Sequence, residues 1–329
     1  MATDPNNPGA SGILPDEIYF QKPYVDQMVT PYMEKICYFN RLVQALNIAS
    51  PKFTYAQRNF TVDQQLQKAI QGRPLPEGET TPFNEIKVQR SERKAGRTYG
   101  IGYKYRMSRD DVLEVNNGNE DAINDYNWVL FSMGIGIAKD TDYAILNTFK
   151  NGATAPTYDM SKSKVWNDPD ATPIKDMTQM GWAYQDETFI NELNDFFMER
   201  SSVHALLDYC DSKDIEWTKN GSDYQIGKTP VRNQTVHDVG SSLDAGESIN
   251  LDLRPGMYMG ASFYRCHDPK FSVQKANSQD ANDMSDLQIN IVDMQTKPYD
   301  RIIEVWTNLG AAVKVGRAIQ YQKGLMPAV

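Results

Sequence analysis

Apolar positions along the chain change period several times, and each change marks an element. After a stretch rich in Pro, Asn, Gly and Ala over residues 1–20, Thr30-Pro31 has the form of an N-cap followed by proline at the first helical position. Tyr32, Ile36, Phe39, Val43 and Leu46 then recur at helical spacing, and Ser50-Pro51 ends the run, which predicts a short amphipathic helix hung on a long arm. Such an arm has no core of its own and needs another surface. Residues 72–82, GRPLPEGETTP, read as a loop. Ile86 and Val88 alternate with polar residues, and RTYGIGYKYRM (97–107) is a clear strand, with Tyr99, Ile101, Tyr103, Tyr105 and Met107 on one face. Two strands joined by the charged stretch QRSERKAG (89–96) predict a long, exposed hairpin, which on a lone subunit invites edge-to-edge aggregation.

Ser108-Arg109-Asp110-Asp111 has the form of a helix start, with Ser108 as cap and acids in the first turn. After the turn NNGNE, a long helix is predicted from about Asp121 to Phe149. Its apolar face runs through Ile123, Tyr126, Leu130, Met133, Ile137, Thr141, Ala144 and Thr148, with Trp128 on another face and Asn151-Gly152 closing it. Thr172-Pro173 opens a further helix carrying Ile174, Met177 and Met180. A second is expected through Phe189, Leu193, Phe196 and Phe197, and a third through Val203, Leu206, Leu207 and Cys210. Strands are expected at Ile249–Leu253, Met257–Tyr264, Leu287–Ile291, Ile302–Trp306 and Val313–Val315. The class is α+β, and no repeat at a solenoid period is present.

Composition narrows the possibilities. The 329 residues carry no apolar run long enough for a transmembrane helix, and the N-terminus lacks the basic start and apolar stretch of a secretory signal. Three cysteines (Cys37, Cys210, Cys266) are too few for a disulfide scaffold and fit a reducing compartment, so a soluble, cytoplasmically made protein is expected. The net charge is −9, but Lys87, Arg90, Arg93, Lys94, Arg97, Lys104, Arg106 and Arg109 face only Glu92 within 87–109, giving +7 there and leaving −16 elsewhere. A basic band on an acidic body can bind nucleic acid or meet an acidic surface of another copy.

Catalytic signatures are missing. His204, His237 (expected in a polar loop) and His267 have no second ligand pair at metal spacing, so no metal is assigned. No G-x-S-x-G elbow or P-loop occurs, and Gly134-Ile135-Gly136 fails as a dinucleotide fingerprint because Lys139 stands where the third glycine belongs. Gly134, Gly136 and Ala138 instead suit the close approach of another element to the long helix. The acid pairs Asp110/Asp111 and Asp140/Asp142 suit a solvated face. The Asn-x-Ser/Thr sites at Asn59, Asn220 and Asn233 carry little weight without a secretion signal. Neither a catalytic residue nor a cofactor is assigned.

The order of these pieces resembles the major capsid proteins of tailed double-stranded DNA viruses of prokaryotes, the Hong Kong 97 fold. The resemblance rests on FNEIKVQRSERKAGRTYGIGYKYRMSRDDVLE, then a long helix ending in IAKDTDYAILNTF, then a mixed domain finishing on GAAVKVGRAIQYQKGL, and it covers about 50–325. It implies an N-terminal arm with a short helix (1–75), an extended β-hairpin loop lying across a neighbour (76–108), and a peripheral domain with the spine helix (109–173). A mainly axial domain (174–300) and C-terminal strands returning to the central or peripheral sheet (301–329) complete the chain. Lys87, Arg90, Arg93, Lys94, Arg97, Lys104 and Arg106 become intersubunit contacts of the loop.

The function so implied is structural: self-assembly through pentamers and hexamers into an icosahedral shell, assembled in the host cytoplasm and located in the virion. The shell would enclose double-stranded DNA without sequence-specific binding. Scaffold, portal and decoration proteins are the further partners implied, and no membrane is. The chain leaves no room for the scaffolding segment that some members carry, so a separate scaffold or none is expected, and a Lys94 crosslink is not. Three alternatives stay open: a cellular compartment shell of the same fold, a soluble α+β enzyme using carboxylates, and a nucleic-acid-binding module resting on 87–109.

Overall fold

The computed structural model describes residues 15–36, 46–59, 89–188, 193–221, 223–227, 234–252, 261–274, 284–293 and 300–327. The elements in the first half are helix α1 (Lys22–Ile36), strands β1 (Leu46–Ile48), β2 (Lys52–Asn59), β3 (Gln89–Arg97) and β4 (Tyr99–Met107), and helices α2 (Arg109–Asn116) and α3 (Glu120–Gly152). Helix α4 (Pro173–Thr188), strand β5 (Asp195–Met198) and helix α5 (Arg200–Ser212) follow. The remaining strands are β6 (Trp217–Asn220), β7 (Asp223–Ile226), β8 (Gln234–Asp238), β9 (Ser248–Leu251), β10 (Ala261–Cys266), β11 (Ser272–Gln274), β12 (Met284–Asp293), β13 (Arg301–Val313) and β14 (Gln320–Gln322). The chain divides into two compact units. One comprises Met1–Pro51, Arg97–Ile145 and Phe263–Gly310; the other comprises Lys52–Gly96, Leu146–Ser262 and Ala311–Val329.

The first unit is built on a six-stranded sheet in the order β1-β10-β13-β12-β11, with β4 also paired to β13. β13 runs antiparallel to β12 and, from Arg301↔Met107 to Leu309↔Tyr99, antiparallel to β4. The inward face supplies Met107, Leu287, Ile289, Ile303 and Val305. Tyr126, Leu130, Met133 and Ile137 of α3 meet them, as the helical period required. Trp128 stays exposed. At 33 residues, α3 is roughly 50 Å long. Ser108 caps α2 by accepting from the Asp111 amide, and Gly118 takes the positive φ that the turn after α2 needs.

The N-terminal segment departs from expectation. Helix α1 begins at Lys22 and carries Pro31 inside it; Thr30 is no N-cap, since its Oγ1 donates to Asp26 Oδ1 at 2.9 Å within the helix. Phe20, Val25, Val29 and Met33 are buried in the chain's own core, so this part of the arm does not depend on a neighbour. Burying several apolar side chains at roughly 1.5–3 kcal/mol each outweighs the ~3 kcal/mol cost of an interior proline. Phe39 and Val43 lie outside the described residues, and Leu46 is in a strand rather than the helix.

The second unit holds a sheet in the order β14-β9-β5-β8-β7-β6. Helices α4 and α5 contribute Met177, Met180, Tyr184, Val203, Leu206 and Cys210 to a core with Phe196, Met198 and Val236. Pro173 opens α4 as expected. Phe196 and Phe197, expected in a helix, instead form β5, which lies between β8 and β9. A strand buried on both faces shows no alternation, so a continuous apolar run does not reveal it. His237 lies in β8, not in a loop. Strands β10 to β12 join β13's sheet. The expected Ile302–Trp306 strand and the Val313 end of the last one are a single strand, β13. Strands β2 and β3 form a separate two-stranded sheet in which Phe53 is buried against Gly96; a Cβ on that glycine would sit 2.3 Å from the ring.

Candidate assembly surface

The basic band divides between two strands. The stretch 89–96 was expected to be the link of a hairpin, but it is itself strand β3, and its partner is β2 rather than β4. Charge along a strand does not forbid it when both faces are open to water. Lys87 and the hairpin's first arm lie outside the described residues, and Arg90 is placed only as a backbone position of β3. Arg93, Lys94 and Arg97 are exposed, and among the described residues none forms an ion pair. Thr98 separates the two strands and is buried, its amide donating to the Pro51 carbonyl at 2.8 Å.

Strand β4 treats its cations differently. Lys104 pairs with Glu304 at 3.3 Å, and Arg106 donates through Nε to Asp300, a buried carboxylate. Both acids lie on or beside β13, and Lys104 stands opposite Glu304 in the register. Each of these two cations thus has an acid in its own chain, because β13 presents carboxylates across the ladder. On the other face, Tyr103 lies against Gly136 of α3, where a Cβ would come within 2.6 Å of its ring, and its hydroxyl donates to Asp140 Oδ2 at 2.7 Å. That hydrogen bond, with some burial, raises the phenol's pKa. Gly134 likewise admits α1, whose Val29 carbonyl would be 2.9 Å from an added Cβ. The small-residue reading of α3 holds.

Among the described residues, no three His, Cys, Asp or Glu side chains gather as metal ligands, and no described helix is long and apolar enough to cross a membrane. Two charged clusters in the second unit were not foreseen. His237 is buried with Nε2 3.0 Å from Asp195 Oδ1 and Nδ1 3.0 Å from Asp223 Oδ1, and it stacks on Phe197. Burial opposes its charge, but hydrogen bonds to the two carboxylates win and raise its pKa. Lys150, in the last turn of α3, donates to Glu247 at 2.8 Å, and Tyr321 donates to the same carboxylate. Burial again opposes the lysine's charge, and these partners raise its pKa overall. The first cluster ties β5, β7 and β8 together, the second ties α3 to the segment before β9 and to β14, and sequence spacing reveals neither. Across the strand pairs, Asp223 stands opposite His237, a pairing that only the register creates.

No protein-family profile matches the sequence, and no curated protein matches it. Solved structures do. The virus-like particle from Pyrococcus furiosus is 10% identical with a TM-score of 0.56, covering 93% of this chain and 100% of that one. The holo encapsulin complex from Synechococcus elongatus is 10% identical with a TM-score of 0.54, covering 90% and 88%. The capsid of an empty GTA particle is 12% identical with a TM-score of 0.52, covering 89% and 90%. At such identities the likeness is one of fold. The chain has the Hong Kong 97-type fold of shell-forming capsid proteins.

Proposed function

We propose that this protein is a shell subunit, many copies of which assemble into an icosahedral capsid around the double-stranded DNA of a tailed virus. Its work is mechanical rather than catalytic. The observation that carries the reading, beside the fold, is the β2–β3 ladder. A two-stranded sheet by itself is marginal in water, and this one presents Arg93, Lys94 and Arg97 exposed and forming no ion pair among the described residues. Lying across a neighbour would supply both the missing support and the missing counter-charges. In this reading, 76–108 is the extended loop, α3 the spine helix of the peripheral domain, and the sheet from β5 to β9 with β14 the axial domain. Lys87 and Arg90 belong to the same contact as the three exposed cations. Obligate interfaces of this kind bury more than about 2,000 Å². A net charge of −9 lets enclosed DNA move rather than adhere, so strong, salt-sensitive DNA binding by the subunit would contradict this proposal.

A second reading shares the fold: a cellular compartment that encloses proteins. The likeness to the Synechococcus encapsulin complex favours it as much as the likeness to the GTA capsid favours the first. Sedimentation of the purified protein, with negative-stain images of the fast fraction, tests both. Closed, uniform megadalton particles are expected. Nuclease-resistant DNA inside them supports the virus reading, and a co-purifying enzyme supports the compartment. A 37.3 kDa species that persists after coexpression with candidate scaffolds would overturn both.

A further inference from the structure

Asn-Gly pairs occur at Asn117-Gly118, Asn151-Gly152 and Asn220-Gly221. In such a pair the glycine nitrogen can attack the asparagine Cγ, because no side chain on the glycine hinders the approach. The reaction needs that nitrogen free of donor duty and the asparagine side chain free to fold back. At the first pair, Gly118 donates to the Val115 carbonyl at 3.1 Å. At the second, Gly152 ends α3, where its N–H belongs to the helical ladder, and Asn151 Nδ2 donates to Asn147 Oδ1 at 3.4 Å.

The third pair is differently placed. Asn220 is the exposed last residue of β6, the edge strand of its sheet, and it pairs with Asp223 across the turn. Gly221 has φ +68° and open space where a Cβ would be, and its N–H meets no acceptor among the described residues. Releasing Asn220 breaks only the terminal pair of an edge strand, the least costly opening a sheet offers.

We propose that Asn220 is a site of spontaneous deamidation that alters the β6–β7 hairpin with age. The Gly221 nitrogen bonds to Asn220 Cγ, the Cγ–Nδ2 bond breaks, and ammonia leaves with the glycine's amide proton. Water then opens the succinimide at either carbonyl, leaving aspartate or isoaspartate at position 220. One water enters, one ammonia departs, and nothing is oxidised or reduced. The new carboxylate stands opposite Asp223, the residue that holds His237 Nδ1, so like charges meet across the pair. The isoaspartyl form also moves a side-chain carbon into the backbone, which shifts β6 against β7.

The test is to hold the purified full chain at mildly alkaline pH and follow its peptides by mass spectrometry, with isoaspartyl methyltransferase labelling. Conversion at position 220 should lead positions 117 and 151, accelerate as pH rises, and vanish in Asn220→Gln. In the aged protein, amide exchange over Asp223–Ile226 should quicken. An amide retained at 220 while a short peptide of the same sequence converts would overturn the proposal, as would equal conversion at 117 or 151. Unchanged exchange after full conversion would overturn the effect on the hairpin.

Discussion

Strands β3 and β4 follow one another through a single residue, Thr98, and carry the same basic band, yet their cations end differently. Lys104 and Arg106 on β4 are matched by Glu304 and Asp300, whereas Arg93, Lys94 and Arg97 on β3 form no ion pair among the described residues. The cause is the neighbouring strand. β4 lies along β13, whose flank carries carboxylates at the right register, while β3 is paired with β2 among the described residues. Charge of one sign in one segment is thus paired within the chain in one half and exposed to solvent in the other. The same residue types have different roles because hydrogen-bonded neighbours, not sequence neighbours, supply counter-charges.

His237 is the extreme of internally matched charge and should give the largest effect on subunit stability. Replacing it with Ala removes the imidazole held between the Asp195 and Asp223 carboxylates and should cost about 3 kcal/mol, measured by urea denaturation. Because its pKa is raised in the folded state, its contribution is complete below the ordinary value of 6.5 and is lost as pH rises through the folded value. A plot of stability against pH should therefore fall above 6.5 in the native protein, and that fall should be absent in His237→Ala. Equal slopes would show that the clasp carries no charge.

Backbone proximity separates the two strands next. A Cβ at Gly102 of β4 would lie 2.3 Å from the Val305 carbonyl oxygen and 2.6 Å from the Trp306 Cα, atoms that cannot yield without moving the strand. Gly102→Ala should cost about 1–3 kcal/mol. Gly96→Ala on β3 meets only the outer atoms of the Phe53 ring, which can swing aside, and should cost below about 1 kcal/mol. A reversed order in thermal melts would mean that β3, not β4, is the rigid strand.

Smaller effects come from the ion pairs. Arg106→Gln should lose about 1 kcal/mol because it weakens the hydrogen bonding of buried Asp300, and Lys104→Ala, at an exposed pair, about 0–1 kcal/mol. Reversing Arg93 and Lys94 to Glu should leave subunit stability within about 0.5 kcal/mol. If β3 serves a neighbour, that same pair of reversals should abolish fast-sedimenting particles. Intact particles from the reversed protein would end the intersubunit assignment.

Much of the fold was legible locally. The alternation of Tyr99 to Met107, the Ser108 cap, the length and apolar face of α3, the glycines that admit Tyr103 and α1, and the Thr172-Pro173 helix start are all where sequence reasoning put them. The proposed assembly surface was legible only in part: the band was visible, but its division between β3 and β4 was not. Errors fell where long-range packing overrides local signals. Thr30-Pro31 has a helix start's chemistry, yet Val25, Val29 and Met33 drive the helix through it.

The sequence by itself determined the periodic elements, the breaks between them and the sign of the charge along each, since these depend on side chains a few residues apart. The tertiary structure decided which strand lies beside which. That pairing turned Phe196 into a central strand and enclosed His237 between two carboxylates. It also set Glu304 and Asp300 against the cations of β4. Pairing between distant segments depends on shared burial and register across the whole chain, and no window of sequence contains both partners.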